Sequence, residues 1–177
     1  MKQEMAVTKT DRLSYNGGRQ FVISSRLCGL LEPIDCGELM RVMRQLTEKI
    51  DISIADYIIG LDSAGIIPAL AASMITGLPL KLAYKMNLNV ENKIRFAEPH
   101  SPNPDIYLYN LPVKSRVILV DDEIRTGKTI INCINSITES GSVVNGVIVP
   151  LESTRFDVRK RLSDIGYNLV SYVKHYF

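Results

Sequence analysis

With 177 residues, 46% of them hydrophobic, the chain can bury one good core and leaves little room for a second independent domain. Lysine and arginine number 21 against 19 aspartates and glutamates, which argues against a nucleic-acid or anionic-membrane binder and leaves a small charged metabolite compatible. Cys28, Cys36 and Cys133 are odd in number and form no CxxC pair, so neither a disulfide framework nor a zinc cage is expected, and reduced thiols fit a cytoplasmic protein.

In chain order, residues 1–11 mix charged and polar residues without an apolar h-region, and are expected to form a frayed tail rather than a secretory signal. Gln20 to Ser24 reads as a strand, and Glu38 to Lys49 as a helix with Asp35 as N-cap or first-turn acid. Tyr57 to Leu61, Ile66 to Ile75 and Leu80 to Tyr84 then read as strand, helix, strand. Ala64 to Leu80 contains 17 residues without a charge, close to the lower limit for a bilayer span. Pro68, Gly77 and Pro79 interrupt it and no Lys/Arg cluster or aromatic anchor flanks it, so a buried helix leading into a strand is the better reading, with no membrane as partner.

Asn87 to Asp105 resembles a linker. Beyond it, Ile106 to Tyr109 and Arg116 to Val120 read as strands, Lys128 to Glu139 as a helix stopped by Gly141, and Val143 to Pro150 as a strand. Phe156 to Ile165 reads as a helix and Leu169 to Val173 as the last strand. This alternation predicts an α/β fold, a central and mostly parallel sheet flanked by helices, with the segment from Tyr15 to Asp35 outside it. In such a sheet, ligands bind beyond the carboxyl ends of the strands, so the loops after Gly60, Tyr84 and Val120 are where chemistry is expected.

The most informative segment runs from Val117 to Thr129, where an apolar strand ends in Asp121-Asp122-Glu123 and a turn, Arg125-Thr126-Gly127-Lys128-Thr129, opens a helix. Adjacent carboxylates at the end of a buried strand need hydroxyl donors, a cation or a metal to offset their desolvation. The turn brings hydroxyls, a flexible glycine and a helix N-terminus together, which suits a phosphate. A Walker A loop would require a glycine where Asp122 stands. A phospho-acceptor receiver domain would place its acid pair near the start of the chain, and a solvated, well-capped turn is the bland alternative.

The segment resembles the 13-residue signature of type I phosphoribosyltransferases. By position, the resemblance implies that Asp121 and Asp122 contact the ribose hydroxyls of 5-phosphoribosyl 1-pyrophosphate (PRPP), and that Arg125, Thr126, Gly127, Lys128 and Thr129 cradle its 5-phosphate, with Glu123 also among the substrate contacts. Lys128 departs from the commoner second glycine, and either touches the phosphate or faces solvent. Ile59-Gly60-Leu61-Asp62-Ser63-Ala64-Gly65 resembles the family's pyrophosphate loop, with Ser63, Ala64 and Gly65 as contacts, and Lys85 stands where the family has a basic pyrophosphate ligand. Residues 86–105 match the family's mobile loop in position, and Lys93, Arg95, Glu98 or His100 are candidates to close over substrate. That loop is expected to be poorly ordered without ligand.

The likeness covers roughly Tyr57 to Pro150, and its pattern is closest to short purine-using members. It implies transfer of the phosphoribosyl group from PRPP to a nucleobase, Mg²⁺ held indirectly by Asp121 and Asp122, a homodimer, and one domain divided into a hood and first helix (12–50), a PRPP-binding core (55–150) and a C-terminal helix and strand (151–177). For the base, Arg19 or Arg26 would serve an anionic orotate, and Phe21, Ile23 or Leu151 would wall a purine. A non-catalytic regulator sensing PRPP or nucleotide is the rival reading, which the balanced charge does not support.

Overall fold

The computed structural model describes residues 7–11 and 21–176. Two apolar runs, β3 (Tyr57–Leu61) and β7 (Arg116–Val120), pair in parallel at the centre of the main sheet, with Ile58 opposite Ile118 and Gly60 opposite Val120. Outward on one side lie β4 (Leu80–Tyr84), β6 (Asp105–Tyr109) and β5 (Lys93–Ala97), and on the other β9 (Val143–Ser153) and β10 (Leu169–His175). The pairings β3–β4, β7–β9 and β9–β10 are parallel, whereas β4–β6 and β6–β5 are antiparallel. The expected mostly parallel sheet is therefore present, with an antiparallel edge.

Alternation along the central strands divides the core in two. Ile59, Leu61, Val117 and Leu119 face α3 (Lys128–Glu139) and α4 (Val158–Asp164), burying Ile130, Ile134, Ile137, Val158 and Leu162. Ile58, Ile118 and Val120 face α1 (Cys36–Thr47) and α2 (Ile66–Thr76), burying Leu39, Val42, Met43, Leu46, Ala69 and Ala72. Both faces of β3 and β7 are thus covered, which is why their sequences are apolar at nearly every position. Asp35 caps α1 as expected, its carboxylate accepting from the N–H groups of Gly37 and Glu38.

Several segments differ from the sequence-based expectation. Val7–Asp11 is not a frayed tail but a strand, β1, paired antiparallel with β2 (Phe21–Ser25) in a separate two-stranded sheet, because a partner strand satisfies its backbone where the lone segment had none. Residues 87–105 are not a featureless linker: Lys93-Ile94-Arg95-Phe96-Ala97 alternates polar and apolar side chains and forms β5, with Phe96 buried. A two-residue strand, β8 (Glu123–Ile124), follows the acid pair and was not anticipated. The helix expected from Phe156 begins later, at Val158.

β9 continues past Pro150, although proline has no N–H to donate to a ladder. The missing donor falls in a gap between partners, since β7 ends opposite Ile148 and β8 begins opposite Leu151. Among the described residues no helix is long and apolar enough to cross a membrane.

Candidate active site

The carboxyl ends of β3, β4 and β7 open on one cavity of about 240 Å³. Asp121 and Asp122 follow β7 and are tied to β9 on either side of Pro150: the Asp121 N–H donates to the Ile148 carbonyl at 3.2 Å, and the Leu151 N–H donates to the Asp122 carbonyl at 3.2 Å. The Asp122 N–H turns back to the Asp121 carboxylate at 2.9 Å. Burial first, and then the neighbouring Asp122 carboxylate, hold the Asp121 carboxyl well above the usual range.

The loop after β3 runs beside this pair, with a cis peptide between Asp62 and Ser63. Gly65, where α2 begins, lies so close to the acids that a Cβ there would stand 2.7 Å from the Asp121 carboxylate and from the Leu61 carbonyl. The loop after β4 joins the same assembly through the Lys85 N–H, which donates to the Asp62 carboxylate at 3.2 Å.

Below the acids, Gly127 adopts φ +71° at the start of α3, and a Cβ would lie 2.4 Å from a Val158 methyl. Only glycine meets both demands. Gly127 offers no capping side chain and the Thr126 hydroxyl accepts from the Lys128 N–H at 3.4 Å, so the first turn of α3 starts beside Thr126 and Thr129, and a helix N-terminus of this kind favours an anion.

Of the substrate contacts expected in the acid pair, its turn, the loop after β3 and Lys85, the residues Ser63, Ala64, Lys85, Asp121, Asp122, Glu123, Arg125, Thr126, Gly127 and Thr129 line the cavity together. Two do not. Gly65 stands behind the wall as a spacer, and Lys128 is exposed and does not line the cavity. Leu151 is buried in the core and Arg26 is exposed in an ion pair with Glu32; neither lines the cavity. Arg19 and the side chains of Phe21 and Ile23 lie outside the described residues.

Glu98 and His100 add groups to the cavity wall, and Ser101 bonds to a lining residue. The Glu98 carboxylate lies 2.7 Å from the Lys85 ammonium, which also donates to the Ser101 hydroxyl at 3.2 Å. His100 Nε2 lies 3.3 Å from the Thr126 hydroxyl. Of the four loop candidates, Glu98 and His100 reach the cavity, while Arg95 pairs with Asp105 and Lys93 bonds to Asn87 away from it. Asp62 is a further lining acid that sequence reasoning passed over, although its position at the end of β3 was a signal.

A family model described as phosphoribosyl transferase matches residues 12–169. The chain is 30% identical over 138 residues to a hypoxanthine/guanine phosphoribosyltransferase of Methanobrevibacter ruminantium, covering 77% of this chain and 72% of that one. It is 27% identical over 144 residues to a xanthine phosphoribosyltransferase of Chloroflexus aurantiacus, covering 78% and 68%. Its fold is similar to that of the adenine phosphoribosyltransferase of Thermoanaerobacter pseudethanolicus, with a TM-score of 0.73 at 19% identity over 96% of this chain and 95% of that one.

Proposed function

The chain belongs to the phosphoribosyltransferase family, and from that premise we propose that it transfers the phosphoribosyl group of PRPP to a purine, releasing pyrophosphate. The relatives named for hypoxanthine and guanine support a 6-oxopurine as acceptor. The observation that carries the reading is the convergence of an acid pair, a helix N-terminus and a lysine on one cavity, the three chemistries that a ribose, its phosphate and a pyrophosphate require.

The chain's own groups divide the work. Asp121 and Asp122 accept hydrogen bonds from the ribose hydroxyls and set negative charge near the oxocarbenium-like carbon that forms as the C1–O bond breaks. Lys85 and the backbone around Ser63 and Ala64 hold the departing pyrophosphate. Thr126, Gly127 and Thr129 seat the 5-phosphate. Residues 98–104 exclude water, which competes with the base for the same carbon.

Mg²⁺ fits this site. Carboxylates of Asp62, Glu98, Asp121, Asp122 and Glu123 line a cavity meant for a polyanion, against Lys85 and Arg125, and hard oxygen donors of this kind suit Mg²⁺. Asp121 and Asp122 are assigned indirect contacts, through ribose hydroxyls or water. When bound, Mg²⁺ neutralises charge on the leaving group.

The test is a panel of adenine, hypoxanthine, guanine, xanthine, orotate and uracil with PRPP and Mg²⁺, following nucleotide formation. Turnover of hypoxanthine or guanine is expected. Turnover of orotate alone would sink the purine assignment, and PRPP binding without turnover of any base would favour a regulator. Because Glu98 occupies the ammonium that pyrophosphate needs, Glu98→Gln is expected to lower the KM for PRPP about threefold to tenfold with kcat nearly unchanged. An unchanged or higher KM would show that the contact is not in competition with substrate.

We also assign a homodimer, acting in the cytoplasm, with α2 as its contact surface. This helix carries no charged residue and exposes Leu70 (46%) and Met74 (69%) one turn apart. Leu70→Glu is expected to shift the protein from dimer to monomer in light scattering coupled to size exclusion. A wild-type protein that is already monomeric at micromolar concentration would refute the assignment.

A further inference from the structure

The lysine inside the phosphate loop, Lys128, faces away from the cavity. Lys85, just after β4, is engaged by Glu98, just after β5. The fixed cation that the cavity wall offers beside the phosphate loop is Arg125, immediately before Thr126. An arginine there is useful to a phosphate only if its long side chain is held in one place, because ordering it otherwise costs rotamer entropy at each binding event.

The turn between β9 and α4, outside the signature segment, supplies that hold. The Arg125 guanidinium carbon lies 5.5 Å from the centre of the Phe156 ring, and that of Arg155 lies 5.3 Å from the same ring. Both distances are within the range of cation–π attraction. The same turn and helix touch the phosphate loop twice more. Val158 fills the space where Gly127 has no side chain, and Arg161 donates from Nη1 to the Thr126 carbonyl at 2.8 Å.

We propose that Phe156 is a positioning residue for the phosphate end of the substrate site: its ring holds the Arg125 guanidinium at the cavity wall, while Arg161 anchors the loop that follows. The proposal rests on the reading that this cavity takes a ribose 5-phosphate group. Phe156 itself touches no substrate and acts through Arg125.

The experiment is calorimetric titration of the purified protein with ribose 5-phosphate, so that the readout is independent of the acceptor base. Arg125→Gln is expected to weaken binding about tenfold or more. Phe156→Leu is expected to weaken it about fivefold, and Phe156→Trp, which keeps a ring face, to restore it. In the Arg125→Gln background Phe156→Leu adds no further loss, which a merely structural role would not produce. Thermal melting checks that each variant is folded, and Phe156→Met replaces the leucine variant if that one is not. Independent losses in the double variant, or wild-type affinity in Arg125→Gln, overturn the proposal while leaving the phosphate site standing. A wild-type protein that does not bind ribose 5-phosphate overturns the phosphate site itself, and the proposal with it.

Discussion

At pH 7 the Asp121→Asn protein is expected to melt at a higher temperature than wild type and to form nucleotide at least about a hundredfold more slowly. The gain in stability follows from the raised carboxyl. Burial and the adjacent Asp122 favour the protonated form of Asp121 in the folded state, whereas the unfolded chain titrates near the ordinary value of about 3.9. Between that value and the raised one the folded state binds more protons, so stability from this group is present at low pH and lost as pH rises through the folded value. At neutral pH asparagine removes the resulting penalty, worth about 2–4 °C of melting temperature for each kcal/mol relieved. It keeps an oxygen for the Asp122 N–H, which donates to this side chain at 2.9 Å. The advantage should shrink as both proteins are melted closer to pH 4. The loss of activity follows from the proposed role of Asp121, a carboxylate set next to a carbon that turns cationic. A variant that melts at or below the wild-type temperature at pH 7 would contradict the electrostatic account, and one retaining activity within tenfold would remove Asp121 from the ribose site.

Gly65→Ala should lower kcat/KM about a hundredfold although it changes no charged or hydrogen-bonding side chain. The backbone at Gly65, with φ −71° and ψ −13°, is open to any residue, so the effect is one of contact alone. The added methyl would meet the Asp121 carboxylate and the Leu61 carbonyl at 2.7 Å and the Asp121 Cα at 2.9 Å. Two of these three atoms are backbone and cannot rotate away. The loop after β3 and the end of β7 must separate, which moves the proposed pyrophosphate and ribose contacts relative to each other, and a displacement of about 1 Å is enough for a loss of that size. Overpacking of this kind costs about 1–3 kcal/mol, a fall of roughly 5 °C in melting temperature. Gly77→Ala is the matched control: its φ of +74° makes alanine strained, but nothing lies within 4 Å and the position is remote from the cavity. It should lose about 1 kcal/mol of stability and no activity. If Gly65→Ala remains as active as Gly77→Ala, the close approach of the two loops is not required for turnover.

The elements that sequence located best are those whose signals are local. β3 and β7 are short apolar runs, α1 begins at a capping aspartate, and α3 ends just before Gly141, so composition over a few residues was enough. The acid pair and the turn that opens α3 were legible for the same reason, since strand, carboxylates and helix start are consecutive. What escaped depended on partners distant in sequence. β5 needed β6 beside it, β1 needed β2, and β8 exists because β9 runs on past Pro150.

The same division holds in the site. Sequence by itself determined that a mostly parallel α/β sheet carries an acid pair and a glycine-containing helix start at its carboxyl edge, because hydrophobic period, caps and turn residues act within one element. Only the tertiary structure decided that Lys128 points out and Arg125 lines the cavity, that Gly65 is a spacer, and that Glu98 lies on Lys85. The direction of a side chain at a helix start, and the neighbour that a glycine leaves room for, are set by packing against Val158, Phe156 and Asp121 from elsewhere in the chain, and no local pattern encodes those contacts.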